Sequence, residues 1–427
     1  MKDLQQVIQE QVVALGDELT ATAQELVRIP SINHPPTGDE YACQMAVGRR
    51  FQAMGLEPEI YAIEDVPGLK EHPSFWPGRD YTGRPNIAAR LKGVGGGRSL
   101  TLSGHIDTVP LGLQPWTKDP FGGEIQDGRL YGLGAYDMKG GVATILGVMR
   151  VFKELGIHLK GDLIAETVVD EEFAGVNGTL AGRLRGDHGD ALVIAEPSDL
   201  AILNGVRGGK LVHILLRGPE GIMFEQGEPG LAIRQLAHLL QWVDVFRQRR
   251  RALVPGWTPG GDDPTPVWVT KIYGGGWGMN VPVTVPAEVK VELYWQLLPG
   301  EEQEQVLAEF NGWLEEMAAA DPVNFSGPPL VEHPIRFMPA SEIPTDAPII
   351  QALSRCAQEV TGRVPAVHPL PAPSDLYVVQ RDFGIPAVHY GVRGAGAHAA
   401  DEYLVVDDLV TVTQVLALLA LAWCEVA

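Results

Sequence analysis

Three short apolar runs in this chain each end on acids or a histidine, and that pairing limits the folds open to it. The run 100–103 (LTLS) closes on His105 and Asp107, the run 163–169 (LIAETVV) on Asp170, Glu171 and Glu172, and the run 191–195 (ALVIA) on Glu196. Runs of this length and composition read as buried strands. His105 and Asp107, two residues apart, share one face of an extended chain. A glycine-rich run at 132–141 (GLGAYDMKGG) leads into the apolar stretch 142–149 (VATILGVM), so Asp137 falls in a loop just ahead of a helix. Further on, 385–390 (IPAVHY) precedes 394–402 (GAGAHAADE) and brings His398 to another such edge. Loops between strand ends and helix starts are where an open α/β sheet places its ligands. Imidazoles and carboxylates drawn from several of them make a hard-to-borderline metal site.

At 427 residues the chain exceeds what one hydrophobic core usually serves, so two domains are expected, and 45% apolar residues suffice for both. A formal charge of −21 argues against nucleic-acid or anionic-membrane partners, which need a basic surface. Cys43, Cys356 and Cys424 lack the spacing of a disulfide framework or a thiolate zinc site. The N-terminus carries acids and glutamines where a signal peptide needs an apolar core, so a cytoplasmic location is expected. The stretch 409–423 is strongly apolar but interrupted by Thr411, Thr413 and Gln414. It reads as a buried terminal helix, with Asp407 or Asp408 as its N-cap.

Taken in order, residues 4–27 have apolar positions at helical spacing, and a second helix is expected over 38–54 with a strand over 57–63. Residues 64–85 read as an irregular loop and 86–91 as a strand. The turn 93–98 (GVGGGR) precedes a strand and lacks a Gly-Lys-Ser/Thr ending, so it is expected to be a hairpin turn, not a phosphate cradle. From about residue 202 the pattern changes to strand, helix, two strands and helix, a compact α+β insert. A linker around 321–329 then leads to a helix over 344–360. His389 sits in an apolar strand and is expected to be a satisfied core residue.

The motifs 104–110 (GHIDTVP), Trp116 with 119–121 (DPF), Asp127-Gly128, 131–141 (YGLGAYDMKGG), 170–172 (DEE), 196–198 (EPS) and His398 with Asp401-Glu402 occur together and in this order. In them the chain resembles the zinc-dependent aminoacylase and carboxypeptidase family that includes acetylornithine deacetylase, succinyl-diaminopimelate desuccinylase and glutamate carboxypeptidase. The resemblance is close over about the first 200 residues and the last 60 and loose between. It implies a mixed-sheet α/β catalytic domain of zinc-exopeptidase type, residues 1–203 and 328–427. An α+β, ferredoxin-like lid and dimerisation domain, residues 204–327, is inserted in it. It also implies two zinc ions, with cobalt or manganese as alternatives: one held by His105, Asp137 and Glu196, the other by Asp137, Glu172 and His398. Asp107 would fix the ligating tautomer of His105, and Glu171 would be the general base. A homodimer formed through the lid is expected.

Departures from the family pattern cluster on the substrate side. Ile222, in 218–224 (GPEGIMF), stands where a lid histidine is expected, and Gln296 where a carboxylate-binding arginine is expected. Asn280 matches the lid asparagine, with 282–284 (PVT) inserted after it. Gly391-Val392-Arg393 replaces a Gly-Pro-Gly, which makes Arg393 a candidate anion contact. Trp277 either packs in the lid core or offers an apolar wall to an acyl or aromatic group. The expected activity is hydrolysis of the amide bond of a small N-acylated amine or amino acid. The alternatives are a dipeptidase or carboxypeptidase of the same family, or a non-hydrolytic binding relative.

Overall fold

The computed structural model describes residues 2–222, 231–254, 265–281 and 283–427. The chain gathers into two compact units, one of residues 1–206, 342–370 and 374–427, the other of residues 207–341 and 371–373.

The first unit is built on a mixed sheet. The strands Leu100–His105, Leu163–Val168, Ala191–Ile194 and Ala387–His389 run parallel to one another. All four are buried along their length, as parallel strands covered on both faces must be. Because they point the same way, their carboxyl ends share one edge, and the residues that close the apolar runs arrive there together. Antiparallel strands Asn86–Leu91 and Glu59–Tyr61 extend the sheet on one side, and Ile202–Val206 on the other.

Helix Gly140–Glu154 packs on this sheet with nearly every side chain buried. Its two leading glycines have a steric cause: a Cβ at Gly141 would lie 2.0 Å from the carbonyl oxygen of Ala195. The terminal helix Asp407–Cys424 is long and apolar enough to cross a membrane, yet 72% of it is buried inside the protein, so it is a core helix. Its N-cap is Val406, not an aspartate. The Asp408 carboxylate turns instead to Arg393, accepting from the main-chain N–H at 2.8 Å and from the guanidinium at 2.8 and 2.7 Å.

Two other sequence expectations need correction. Residues 93–98 are not a hairpin turn, since the strands on either side of them both pair with Leu163–Val168, one antiparallel and one parallel. The single helix over 4–27 is two helices, Lys2–Ala14 and Gly16–Arg28, broken at Leu15. Both pack against the terminal helix, and the break lets each follow its surface.

The second unit is a four-stranded antiparallel sheet with helices Leu231–Ala252 and Gln303–Ala320. Its core is aromatic, with Phe246, Trp295, Phe310 and Trp313 meeting ring to ring at 5.0 to 6.1 Å. Strand Val267–Gly274 lies at the edge of this sheet.

Candidate metal centre

Five side chains from the first unit meet at the carboxyl edge of the parallel strands. His105 ends its strand, and its Nε2 lies 3.1 Å from Asp137 Oδ1 and 3.5 Å from Glu196 Oε1. On the other side, His398 Nε2 lies 3.3 Å from Asp137 Oδ2 and 3.1 Å from Glu172 Oε2. Each oxygen of Asp137 therefore faces one imidazole, and each imidazole has a further carboxylate beside it. Ligand atoms of His105, Asp137 and Glu172, and of His105, Glu171 and Glu196, fall within 4.8 Å of one another.

The sequence places these groups by simple means. Asp137 lies in a short non-helical kink, φ −115° and ψ 93°, between Gly134 and the helix that starts at Gly140. Gly134 has φ +75°, where a side chain would strain the backbone, and a Cβ there would also lie 2.4 Å from Thr108 Cγ2. Asp170, just past the end of strand Leu163–Val168, has φ +61°, and the chain turns there so that Glu171 and Glu172 both face the centre.

Asp107 acts differently from the sequence expectation. Its carboxylate stands 3.6 Å from His105 Nδ1, and the nearer acceptor, at 2.9 Å, is the Asp107 main-chain carbonyl. That carbonyl fixes the imidazole with Nδ1 protonated and Nε2 free to ligate. The carboxylate instead accepts the N–H groups of Glu171 at 3.2 Å and Glu172 at 3.0 Å, so it shapes the turn that carries both acids.

The electrostatics call for cations. Burial pushes Glu171 and Glu196 well above the usual carboxylate range, and raises Glu172 as well. Burial opposes charge on His105, yet Glu196, Asp137, Glu171 and Asp107 around it raise its pKa well above the imidazole value. Hydrogen bonds to Asp137 and Glu172 lift His398 to about 11. Burial also opposes charge on Asp137, but the two imidazoles hold it below its ordinary value. Four acids, two buried and two half-buried, face two imidazoles and hold more negative charge than those rings can neutralise. Nitrogen and oxygen donors in this number suit divalent ions of the zinc, cobalt or manganese kind.

Several supporting residues were not singled out in the sequence. Asn33 Nδ2 bridges Asp107 Oδ2 at 2.9 Å and Asp170 Oδ1 at 3.2 Å, and the Tyr81 hydroxyl donates to Asp170 Oδ2 at 2.5 Å. The Asp375 N–H donates to Glu171 Oε1 at 3.3 Å, and its buried carboxylate accepts from Thr179. The signal available for Asp375 was an acid between the proline-rich 369–373 and the apolar 376–379, a place where a loop gives way to a buried segment.

Arg393 is engaged by Asp408, as described. Gln296, in the second unit, is buried, and its side-chain amide donates to the Pro371 carbonyl. Trp277 is fully exposed, which excludes the lid-core reading, and Asn280 is exposed too. The backbone of Ile222 pairs with Thr284, while 223–224 of the lid motif and Pro282 of the insertion lie outside the described residues. His389 is buried as expected, and burial lowers its pKa to about 3. It is only half satisfied: Nε2 faces Ser374 Oγ at 3.3 Å, and Nδ1 has no hydrogen-bond partner among the described residues.

An open α/β sheet that gathers imidazoles and carboxylates at the carboxyl ends of its parallel strands has the architecture of a metal-dependent hydrolase. The chain matches peptidase family M20/M25/M40 over residues 101–422, and it belongs to that family. It is 29% identical over 371 residues to an N-formyl-4-amino-5-aminomethyl-2-methylpyrimidine deformylase of Bacillus subtilis, covering 81% of this chain and 84% of the relative. It is 28% identical over 399 residues to a succinyl-diaminopimelate desuccinylase of Caulobacter, covering 91% and 92%. The fold is similar to that of human carnosine dipeptidase 1, with a TM-score of 0.74, 17% identity, and 98% and 99% of the two chains covered. It is also similar to the Bacillus subtilis YXEP protein, described as a dinuclear metal binding peptidase from the M20 family, with a TM-score of 0.64, 19% identity, and 97% and 99% covered.

Proposed function

We propose that this hydrolase cleaves the amide bond of a small N-acylated amine or amino acid, using two divalent cations that share Asp137. Zinc is the first choice of metal, with cobalt and manganese as alternatives. One observation carries the reading: the two oxygens of Asp137 face two different imidazoles, each accompanied by its own glutamate. A carboxylate can serve two cations at once, and a neutral imidazole only one. His105, Asp137 and Glu196 would hold one ion, and Asp137, Glu172 and His398 the other.

When bound, such a pair polarises the scissile carbonyl and lowers the pKa of water toward neutrality. The remaining work falls to the chain. Glu171, a half-buried acid beside the ligands and not itself assigned to either ion, accepts a proton from the attacking water as its oxygen bonds to the acyl carbon. It then gives that proton to the nitrogen as the C–N bond breaks, so acid and free amine leave together. The Asp375 N–H and the turn shaped by Asp107 hold Glu171 in place.

The deformylase and the desuccinylase among the relatives support an N-acyl substrate over a peptide. So does Gln296: at the place where a carboxylate-binding arginine is expected, it presents an amide bonded to the chain's own backbone. The same reading makes the second unit, expected from the sequence at 204–327 and spanning 207–341 and 371–373, a lid that pairs with a second copy of the chain. The exposed edge strand Val267–Gly274, with Trp268, Ile272 and Tyr273 turned to solvent, supports that pairing. The acidic charge of −21 is in keeping with a cytoplasmic enzyme of small molecules.

The test is release of free amine from a panel of N-formyl, N-acetyl, N-succinyl, N-carbamoyl and dipeptide compounds, with and without a chelator. Chelator-sensitive turnover of an N-acyl compound in preference to the dipeptides is the expected result. Preferential dipeptide turnover, or hydrolysis indifferent to the chelator, contradicts the reading.

A further inference from the structure

The turn that presents His398 is tied down from outside itself. His398 has φ +62° and Asp401 φ +60°, a left-handed conformation uncommon for non-glycine residues. Two fasteners are visible. The Asp401 carboxylate accepts the N–H groups of Thr117 at 2.8 Å and Lys118 at 3.1 Å and the Thr117 hydroxyl at 2.8 Å, which ties the turn to a surface loop. Glu402 ties it to something more consequential.

Glu402 is 1% exposed. Its Oε1 accepts the N–H groups of Tyr136 at 2.8 Å and Asp137 at 2.9 Å, and its Oε2 accepts that of Gly134 at 2.8 Å. Its main-chain carbonyl takes the N–H of Gly132 at 3.0 Å. Immediately after it, Tyr403–Val405 pairs with Arg129–Tyr131. One buried carboxylate thus grips the backbone of the loop that carries Asp137, while its own backbone ends the turn that carries His398. His105 has no such dependence, because it ends a strand held in a ladder on both sides and its ring is fixed by the Asp107 carbonyl.

We infer that Glu402 is a positioning residue that sets the distance between His398 and Asp137, and so selectively maintains the His398 and Glu172 half of the centre. This rests on the dinuclear reading above. Glu402→Gln keeps the size of the side chain but replaces one acceptor oxygen with an NH2 group. That group faces either the N–H of Gly134 or those of Tyr136 and Asp137, and each arrangement opposes donor to donor. The loop and the turn then separate, and the geometry around His398 loosens while that around His105 remains.

The test is titration of metal-free protein with Zn2+ against a chromogenic chelator, together with steady-state kinetics and thermal melting of the metal-free forms. Wild type should take up two ions per chain. Glu402→Gln should keep one at wild-type affinity and bind the second ~10- to 100-fold more weakly, the range seen when partners of metal ligands are lost. Its kcat should fall and recover with added Zn2+, its KM should hold, and Asp401→Asn should retain both ions. Two ions bound by Glu402→Gln as tightly as by wild type would overturn the inference. So would equal weakening at both sites with a lowered melting temperature of the metal-free form, or the same selective loss in Asp401→Asn. A wild type that takes up fewer than two ions overturns the dinuclear reading and this inference with it, whereas two tight ions in both proteins overturns the inference alone.

Discussion

The two units use charge and aromatic surface in opposite ways. In the first, acids and the His105 imidazole are buried or half-buried, His398 closes the cluster from the exposed side, and each imidazole meets two carboxylates at 3.1 to 3.5 Å. In the second, buried space is given to rings, while Trp268, Tyr273, Trp277 and Met279 are left on the surface. Burying acids without partners is costly, so the first arrangement makes sense only if cations complete it. The second leaves aromatic surface open to solvent, which the proposed pairing with a second copy would cover. The proposed ligands are all present, while of the departures from the family pattern Ile222 and Gln296 lie in the second unit and 391–393 in the first.

Substitutions in each unit separate the two arrangements. The largest effect should come from Glu171→Gln, which removes the proton acceptor and leaves the ligands: kcat should drop by ~10²- to 10⁴-fold with metal content unchanged. Steady-state kinetics with metal analysis checks this, and near-normal turnover would remove Glu171 from the mechanism. Next, Ile272→Lys places a charge on the exposed edge strand, a known obstacle to strand pairing. Sedimentation velocity should show a dimer becoming monomer while the metal content of the first unit is untouched.

Arg393→Ala leaves the buried Asp408 carboxylate with only a main-chain N–H among the partners described here. It should cost ~1–3 kcal/mol of stability, seen as a lower melting temperature, with KM unchanged. A raised KM with unchanged stability would instead make Arg393 a substrate contact. Smallest of all, Gln296→Ala removes the donor to the Pro371 carbonyl and should cost ~1 kcal/mol in denaturant unfolding without affecting metal content.

Much of the centre was legible in the sequence because its geometry follows from strand direction. Residues that close apolar parallel strands must emerge at one edge, and His105, Glu171, Glu172 and Glu196 do so. Asp137 and His398 needed the glycine-rich motifs around them, since neither ends a strand. What stayed hidden depends on contacts between distant segments. Nothing local to Asn33, Tyr81 or Asp375 says what it will touch, and the role of Asp107 was displaced because its own carbonyl lies closer to the ring than its carboxylate does. The turn at 93–98 misled for the same reason. Its glycines permit a hairpin, but pairing is decided by Leu163–Val168, which inserts between the two strands. Asp408 has the composition of a helix cap, and a nearby arginine claimed it first.

The proposed chemistry depends on Asp137 being shared by two cations. Crystals of the zinc-loaded enzyme, with an anomalous difference map recorded at the zinc edge, test it most directly. Two peaks per chain are expected, one between Asp137 and His105 with Glu196, the other between Asp137 and His398 with Glu172. A single peak, or a pair in which Asp137 touches only one, contradicts the account.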